Sequence, residues 1–470
     1  MPRALFIRLA PWLRFKNRHP HDLMWPCSLL YSAGIARRCG WQARVLDTHV
    51  EPLNPEQLAD EVVRDGAELV FIDSMTPTIQ WSLELARRLR GRAPGLRIIA
   101  IGQHASARPQ DVLDDNSPFD GAIRGEHEAA MEALLGGTPL AELPGGTTWD
   151  GELQRHGPHA EVKDLGALPP IDPQGLHLDR YRMQSATVPR FGRVRWGFLL
   201  TSRGCPFPCT FCSQTLRQSY GRGYRGQPAE QVVDDVLRLH RDVGMNAWYT
   251  IDDVFSLDRD RVAAVCEGLI RAGAPTRWII QTRGELVDPE LCRLMKRAGC
   301  VGVKMGVESG VPRVLKQIRK QSTPDQMRAG AQAVKSAGLQ LTAYYMLGHP
   351  TETLDEMEQT FRFARELDAD MIQVAFHTPY PGSDSWDEQM GHVEDLGELN
   401  HYETQHVNLS EVDNATLEQV QRSFYLRYYL HPRTFSRYVR RRLIYRAADV
   451  GEWRLAAGTL KYLLLRRGVA

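Results

Sequence analysis

Residues Cys205-Pro206-Phe207-Pro208-Cys209-Thr210-Phe211-Cys212 bring three cysteines together at spacing C-x3-C-x2-C. The bulky apolar run 196–201 just upstream reads as a buried strand, closed by Arg203 and Gly204. Thiolates are soft ligands that select iron–sulfur clusters, zinc or copper. A four-iron cluster ordinarily takes four cysteines, so three would leave one iron open to a substrate or cofactor. Pro206 and Pro208 fix φ and remove two N–H groups, which stiffens the loop, and Gly204 admits a close backbone approach. A structural zinc knuckle is the competing reading. It needs a nearby fourth Cys or His, and none lies between Tyr181 and Cys205; the next downstream is His240.

Downstream of the triplet, strand-like and helix-like runs alternate. Strands 247–251, 277–281, 301–307, 339–347 and 371–376 are separated by helices 258–272, 289–298, 323–337 and 354–367. Their carboxyl ends carry Asp252-Asp253, Thr282-Arg283, Glu308-Ser309 and Gly348-His349. With strand 196–201 and helix 230–243 this predicts a partial (β/α)6 TIM-type barrel, whose active site forms at the strand carboxyl ends. Upstream, strands 4–9, 42–47, 69–73, 97–102 and 119–124 alternate with helices 29–39, 55–64, 78–92 and 126–135. That pattern predicts a doubly wound, Rossmann-like α/β domain with ligands at its strand ends. Those ends carry Ser74-Met75-Thr76, Gly102-Gln103-His104 and Gly125-Glu126-His127-Glu128, whose small and hydroxyl residues suit a large flat cofactor or an ordinary polar loop. Asp47-Thr48-His49 runs into Pro52 and reads as a strand-end turn.

The expected organisation is α/β: a Rossmann-like domain at 1–136, a linker at 137–190, the barrel at 191–394 and a helical extension at 395–470. The linker is rich in Gly and Pro, with a small hairpin at 145–157. The extension reads as helices 415–430, 432–447 and 453–465, basic and amphipathic. Its reading is a solvated face on the barrel mouth, or contact with an acidic substrate or a membrane surface.

Among 470 residues the net charge is +1, which gives no footprint for nucleic acid. Eight cysteines are too sparse for a secreted disulfide framework, and Cys266, Cys292 and Cys300 fall in apolar patterns as buried small residues. No signal peptide or long apolar run is evident, and a reducing cytoplasm is expected.

The triplet, with an aromatic residue before its third cysteine, resembles the signature of the radical S-adenosylmethionine (SAM) enzymes. The resemblance implies a 4Fe-4S cluster on Cys205, Cys209 and Cys212 whose open iron chelates the SAM amino and carboxylate groups. One electron would then cleave the sulfonium to a 5′-deoxyadenosyl radical. Glu308 matches the family's strand-end glutamate, implied to bond the SAM ribose hydroxyls. Ser309 with Arg319 or Lys320, and Arg283 from the neighbouring strand, suit the SAM carboxylate. Phe211 is expected to border the adenine, and Met346 and Gly348 to line its slot. Asp252 and Asp253, with Thr282 on the neighbouring strand end, are expected at the SAM amino group or a substrate acid. Helix capping and surface ion pairing are the alternative uses of these polar residues.

A Rossmann-like domain ahead of the triplet resembles the cobalamin-binding subclass of that family, and implies a corrinoid between the domains. It would rest on Ser74, Met75, Thr76, Gly102, Gln103, His104, Gly125 and Glu126. The subclass often has Gly-Gly where this chain has Gly102-Gln103, and no Asp-x-His-x-x-Gly follows the first strand, so cobalamin without a protein histidine on cobalt is implied. The resemblance further implies a small-molecule or natural-product substrate and a flavodoxin- or ferredoxin-like electron donor. Methylation of an unactivated carbon is the first expectation. Ring formation or contraction is the second, since the run 424–433 resembles the C-terminal helices of cyclase-like members. A non-catalytic corrinoid- or SAM-binding partner is the third.

Overall fold

The computed structural model describes residues 1–10, 23–183, 194–212, 223–389, 396, 399, 401 and 407–437. The expected helix 453–465 and most of 432–447 lie outside them. Among the described residues no helix is long and apolar enough to cross a membrane.

The first sheet contains β1 (Arg3–Arg8), β2 (Gln42–Asp47), β3 (Leu69–Asp73), β4 (Arg97–Ile101), β5 (Gly121–Ile123), β6 (Gly146–Trp149) and β7 (Leu153–Arg155), in the order β2-β1-β3-β4-β5-β6-β7. The first five are parallel, and β6 and β7 add antiparallel at one edge. Strand side chains alternate between two faces. Ala4, Phe6, Phe71 and Ile99 share one core with the helices Cys27–Arg38 and Glu128–Leu135, whereas Leu5, Ile7, Val70 and Ile98 share another with Pro55–Asp65 and Ile79–Arg92. This is the expected doubly wound domain, and its strand order reverses at β1 and β3. The Asp47 carboxylate accepts from Arg8 and Tyr181, and His49 Nε2 lies 3.2 Å from the Leu9 carbonyl, so this segment is indeed a strand-end turn.

The expected hairpin forms, but it belongs to the first sheet, so that sheet runs beyond residue 136. The segment after it is more than a span between domains. Ala160, Val162, Leu165, Leu168 and Ile171 are buried in the core common to both sheets.

The second sheet is six-stranded in the order β15-β14-β13-β12-β11-β8. Its strands are β8 (Trp196–Leu199), β11 (Ala247–Thr250), β12 (Arg277–Thr282), β13 (Cys300–Glu308), β14 (Gln340–Leu347) and β15 (Met371–Phe376), all parallel to their neighbours. Sequential order with intervening helices makes the expected partial barrel. A short antiparallel pair, β9 (Ser202–Arg203) with β10 (Arg225–Gly226), leads into the cysteine loop.

An open barrel leaves an edge of unpaired backbone groups. Here the helix Asn414–Tyr429 covers the β15 edge. The Val374 N–H donates to Tyr425 Oη at 2.7 Å and the Ile372 N–H to Tyr429 Oη at 2.9 Å, while Gln421 donates to the Val374 carbonyl. The described part of the C-terminal extension therefore seals a sheet edge.

Candidate active site between two sheets

Gly204 opens the cysteine loop at φ +85°, and a Cβ there would lie 2.0 Å from the Gly223 carbonyl oxygen, so only glycine fits. Within the loop the Thr210 N–H donates to the Ile318 carbonyl at 3.0 Å, and the Ser385 N–H to the Thr210 carbonyl at 3.1 Å. None of Cys205, Cys209 and Cys212 is in a disulfide. Among the described residues no three His, Cys, Asp or Glu side chains converge as single-ion ligands.

Beside the loop, Asp252 and Asp253 divide their work. Asp252 is saturated, accepting from the Thr201 N–H, the Thr201 hydroxyl and the Ser202 hydroxyl at 2.6–2.7 Å. The Asp253 carboxylate accepts from the Gly204 N–H, while its Oδ2 is buried without a hydrogen-bond partner. A lone buried carboxylate oxygen is costly unless a ligand meets it.

Glu308 ends β13 at φ +65°, a left-handed conformation uncommon for a side-chain-bearing residue, just after a register shift in the strand pair. Its Oε1 accepts from the buried Lys320 ammonium at 2.8 Å. Lys320 is itself set between two left-handed residues, Arg319 and Gln321, at φ 52° and 54°. Strained backbone on both sides of one ion pair is the kind of over-determined geometry found at ligand sites.

Several expected SAM contacts are used otherwise. The Ser309 hydroxyl meets the Thr360 hydroxyl at 3.0 Å and accepts from the Val311 N–H, fixing the turn into the helix Pro312–Gln317. Arg319 is half exposed and pairs with Asp384 at 3.1 Å. Thr282 is hydrogen-bonded to Ser256 inside the barrel. Arg283 stacks its guanidinium on Phe207 at 3.7 Å, and each of its nitrogens already has an acceptor. Each of these groups is engaged by a partner within the protein, and Thr360 and Asp384 lie 51 and 65 residues from Ser309 and Arg319 in the chain.

Phe211 packs edge-on against His349 and His377, with ring centroids 6.5 and 6.3 Å away. The two imidazoles are buried, with Nδ1 atoms 2.9 Å apart. Burial pushes the His377 pKa down to about 4 and, with the neighbouring His377, holds His349 well below the usual range. This pair was missed from sequence; its only signal was the place of His349 and His377 at the ends of adjacent strands. Met346 lies half-buried on β14, and the Gly348 N–H donates to Glu352 at 2.8 Å.

On the first sheet, the expected corrinoid residues gather at the carboxyl ends of β3, β4 and β5. Ser74 and His104 are buried, joined by a backbone hydrogen bond at 2.9 Å. Thr76 bonds His104 Nδ1 at 3.1 Å and Asp111 bonds its Nε2 at 3.0 Å, so both ring nitrogens are occupied. Met75 is tied to Thr78, and Gln103 begins the helix Gln103–Ala107. Gly102, at φ +93°, leaves room for neither Cβ nor strain: a Cβ would lie 2.1 Å from Asp73 Oδ1. Gly125 bridges Ala160. The small, backbone-lined rim of these turns suits a flat macrocycle.

Glu126 departs from the expectation. Its carboxylate accepts from Arg203 at 3.0 Å, from Arg225 at 2.5 Å and from the Val162 N–H. Arg203 also reaches Glu128 at 2.7 Å. Glu126 thus clamps the strand end of the first domain to the residue before Gly204, and this buried network joins the two candidate cofactor faces.

Two family models match the chain: the B12 binding domain over residues 20–135 and the radical SAM superfamily over residues 199–364. The chain belongs to the cobalamin-binding-domain radical SAM superfamily. This radical SAM protein is 27% identical over 367 residues to an uncharacterized methyltransferase of Pyrococcus horikoshii, covering 77% of this chain and 78% of that one. It is 26% identical over 387 residues to an anaerobic magnesium-protoporphyrin IX monomethyl ester cyclase of Rubrivivax gelatinosus, covering 78% and 67% of the two chains. The structure of OxsB, a cobalamin-dependent SAM radical enzyme solved with aqua-cobalamin and SAM, superposes with TM-score 0.71 at 16% identity, over 98% of this chain and 75% of that one. The radical SAM and B12 domains carry a 4Fe-4S cluster, SAM and cobalamin as the cofactors of this enzyme. The three cysteines of the glycine-hinged loop, none in a disulfide, the lone Asp253 oxygen and the small-residue rim of β3–β5 fit those groups.

Proposed function

We propose that this enzyme methylates an unactivated carbon of a small molecule, with its cluster on Cys205, Cys209 and Cys212. The observation that carries this reading is the buried contact of Arg203 with Glu126 and Glu128, which sets the strand ends of the B12 domain against the cysteine loop. When bound, the reduced cluster gives SAM the electron that cleaves it, and cobalamin provides the methyl group. Glu308 accepts the ribose hydroxyls, a carboxylate pairing with a diol. Asp253 Oδ2 receives the SAM ammonium, which satisfies its missing hydrogen bond. Phe211, held by His349 and His377, closes the loop side and excludes water. The substrate enters between the two sheets, and an external one-electron donor of the flavodoxin or ferredoxin type recharges the cluster.

Ring chemistry is the second reading, supported by the likeness to the Rubrivivax cyclase. One experiment separates them: anaerobic reconstitution with cluster and cobalamin, then measurement of 5′-deoxyadenosine and S-adenosylhomocysteine. Both products together support methyl transfer. Deoxyadenosine alone favours ring chemistry, and neither, with any reductant, leaves a non-catalytic binding role.

A further inference from the structure

Arg283 sits at the end of β12 with its guanidinium buried under the cysteine loop. Nη1 donates to Cys209 Sγ at 3.6 Å, Nε donates to Glu285 Oε1 at 2.5 Å, and Nη2 donates to the Lys320 carbonyl. Its face lies on the Phe207 ring at 3.7 Å. Glu285 is fixed in turn by Ser322 at 2.8 Å, and the Lys320 ammonium holds Glu308. Three different acceptors and one aromatic face leave the guanidinium a single orientation. Arginine is suited to this because its donors form a rigid planar fork and its face stacks on rings. The cation is therefore aimed at the sulfur of Cys209, and the same side chain ties the cysteine loop to the Glu308–Lys320 pair.

We propose that Arg283 is a positioning residue that sets the reduction potential of the cluster, by donating a charge-assisted hydrogen bond to Cys209 Sγ. Hydrogen bonds to cluster sulfurs and nearby charge are the protein's levers on such potentials. Reduction adds one electron, supplied by the external donor, to the cluster. A cation and donor at one ligand sulfur stabilise that added charge, so they raise the potential. Arginine neither gains nor loses an electron or a proton in this step. The inference rests on the cluster reading above.

The test is an anaerobic redox titration of the reconstituted full chain, followed by electron paramagnetic resonance, comparing wild type with Arg283→Met and Arg283→Lys. Iron and sulfide content are measured first. Arg283→Met is expected to shift the midpoint to more negative potential, with the reduced-to-oxidised ratio at the wild-type midpoint falling about tenfold, as for one lost charge-assisted hydrogen bond. Arg283→Lys keeps a cation without the fork and is expected to fall between. An unshifted midpoint in Arg283→Met with a full cluster overturns the tuning role. Failure of both variants to assemble a cluster also overturns it, since Arg283 would then serve assembly. A wild-type chain that forms no iron–sulfur chromophore overturns instead the cluster reading beneath it.

Discussion

Arg203 Nη2 meets Glu128 Oε1 at 2.7 Å in the seam between the two sheets, with both side chains shut off from water. Glu126 adds a second carboxylate on Arg203, and Ser28 supports Glu128. Removing one partner of a buried ion pair leaves an uncompensated charge, at a cost of roughly 3–5 kcal/mol. Arg203→Met should therefore lower the urea midpoint strongly. An unchanged midpoint would show that the seam is held by apolar packing alone.

The same seam has a pH signature. Burial by itself raises the Glu128 pKa, but the Arg203 charge, then His127 and the hydrogen bonds from Arg203 and Ser28, bring it to about 2. A carboxylate held below its unfolded value, roughly 4.3, contributes fully above that pH and loses its contribution as pH falls toward 2. Glu128→Gln should flatten the stability–pH curve between those values. Matching acid limbs in the two proteins would contradict this.

Glu352 titrates in the opposite sense. Burial raises its pKa to about 8, against the hydrogen bonds it accepts from the His349 and Gly348 N–H groups. A carboxyl held above its unfolded value stabilises below that value, and the contribution is lost as pH rises to about 8. Glu352→Gln keeps an acceptor oxygen and carries no charge. Its stability relative to wild type should improve steadily from about pH 5 to pH 8, as thermal unfolding across that range will report.

Glu308 and Lys320 are expected to matter to SAM affinity. If Glu308 takes the proposed ribose contact, Glu308→Gln should weaken both it and the Lys320 pair and raise the SAM dissociation constant by tenfold or more, given roughly 1.5–3 kcal/mol per charged hydrogen bond. Anaerobic calorimetry on the reconstituted protein measures it. Wild-type affinity in the variant would remove Glu308 from the site.

The eight cysteines should divide cleanly. Alanine at Cys205, Cys209 or Cys212 should each abolish bound iron and deoxyadenosine release. Burial pushes the Cys266 and Cys292 thiols up to about 12, far from thiolate character. Cys266→Ala and Cys292→Ala should keep wild-type iron content, and iron loss in either would contradict the assignment.

Tyr425→Phe and Tyr429→Phe remove the acceptors of two β15 N–H groups. Amide exchange at Val374 and Ile372 should accelerate while that at Ile280, buried on β12, stays slow. Stability should fall by about 1–3 kcal/mol per acceptor lost.

What the sequence determined by itself is local and periodic. The spacing of three cysteines, the alternation of βα runs and the glycine at 204 follow from residue types and short-range sterics, and all of them stand in the structure. The same logic located Glu308 at a strand end, because apolar periodicity sets where a strand stops. Tertiary structure alone decided which partner each buried charge takes. Arg203 lies 75 residues from Glu128, Arg283 lies 74 from Cys209, and the hairpin at β6 and β7 could have remained a linker. Those outcomes depend on which surfaces close over one another, since a desolvated ion must find a counter-charge wherever the packed fold brings one. That is also why Glu126 clasps two arginines across the seam.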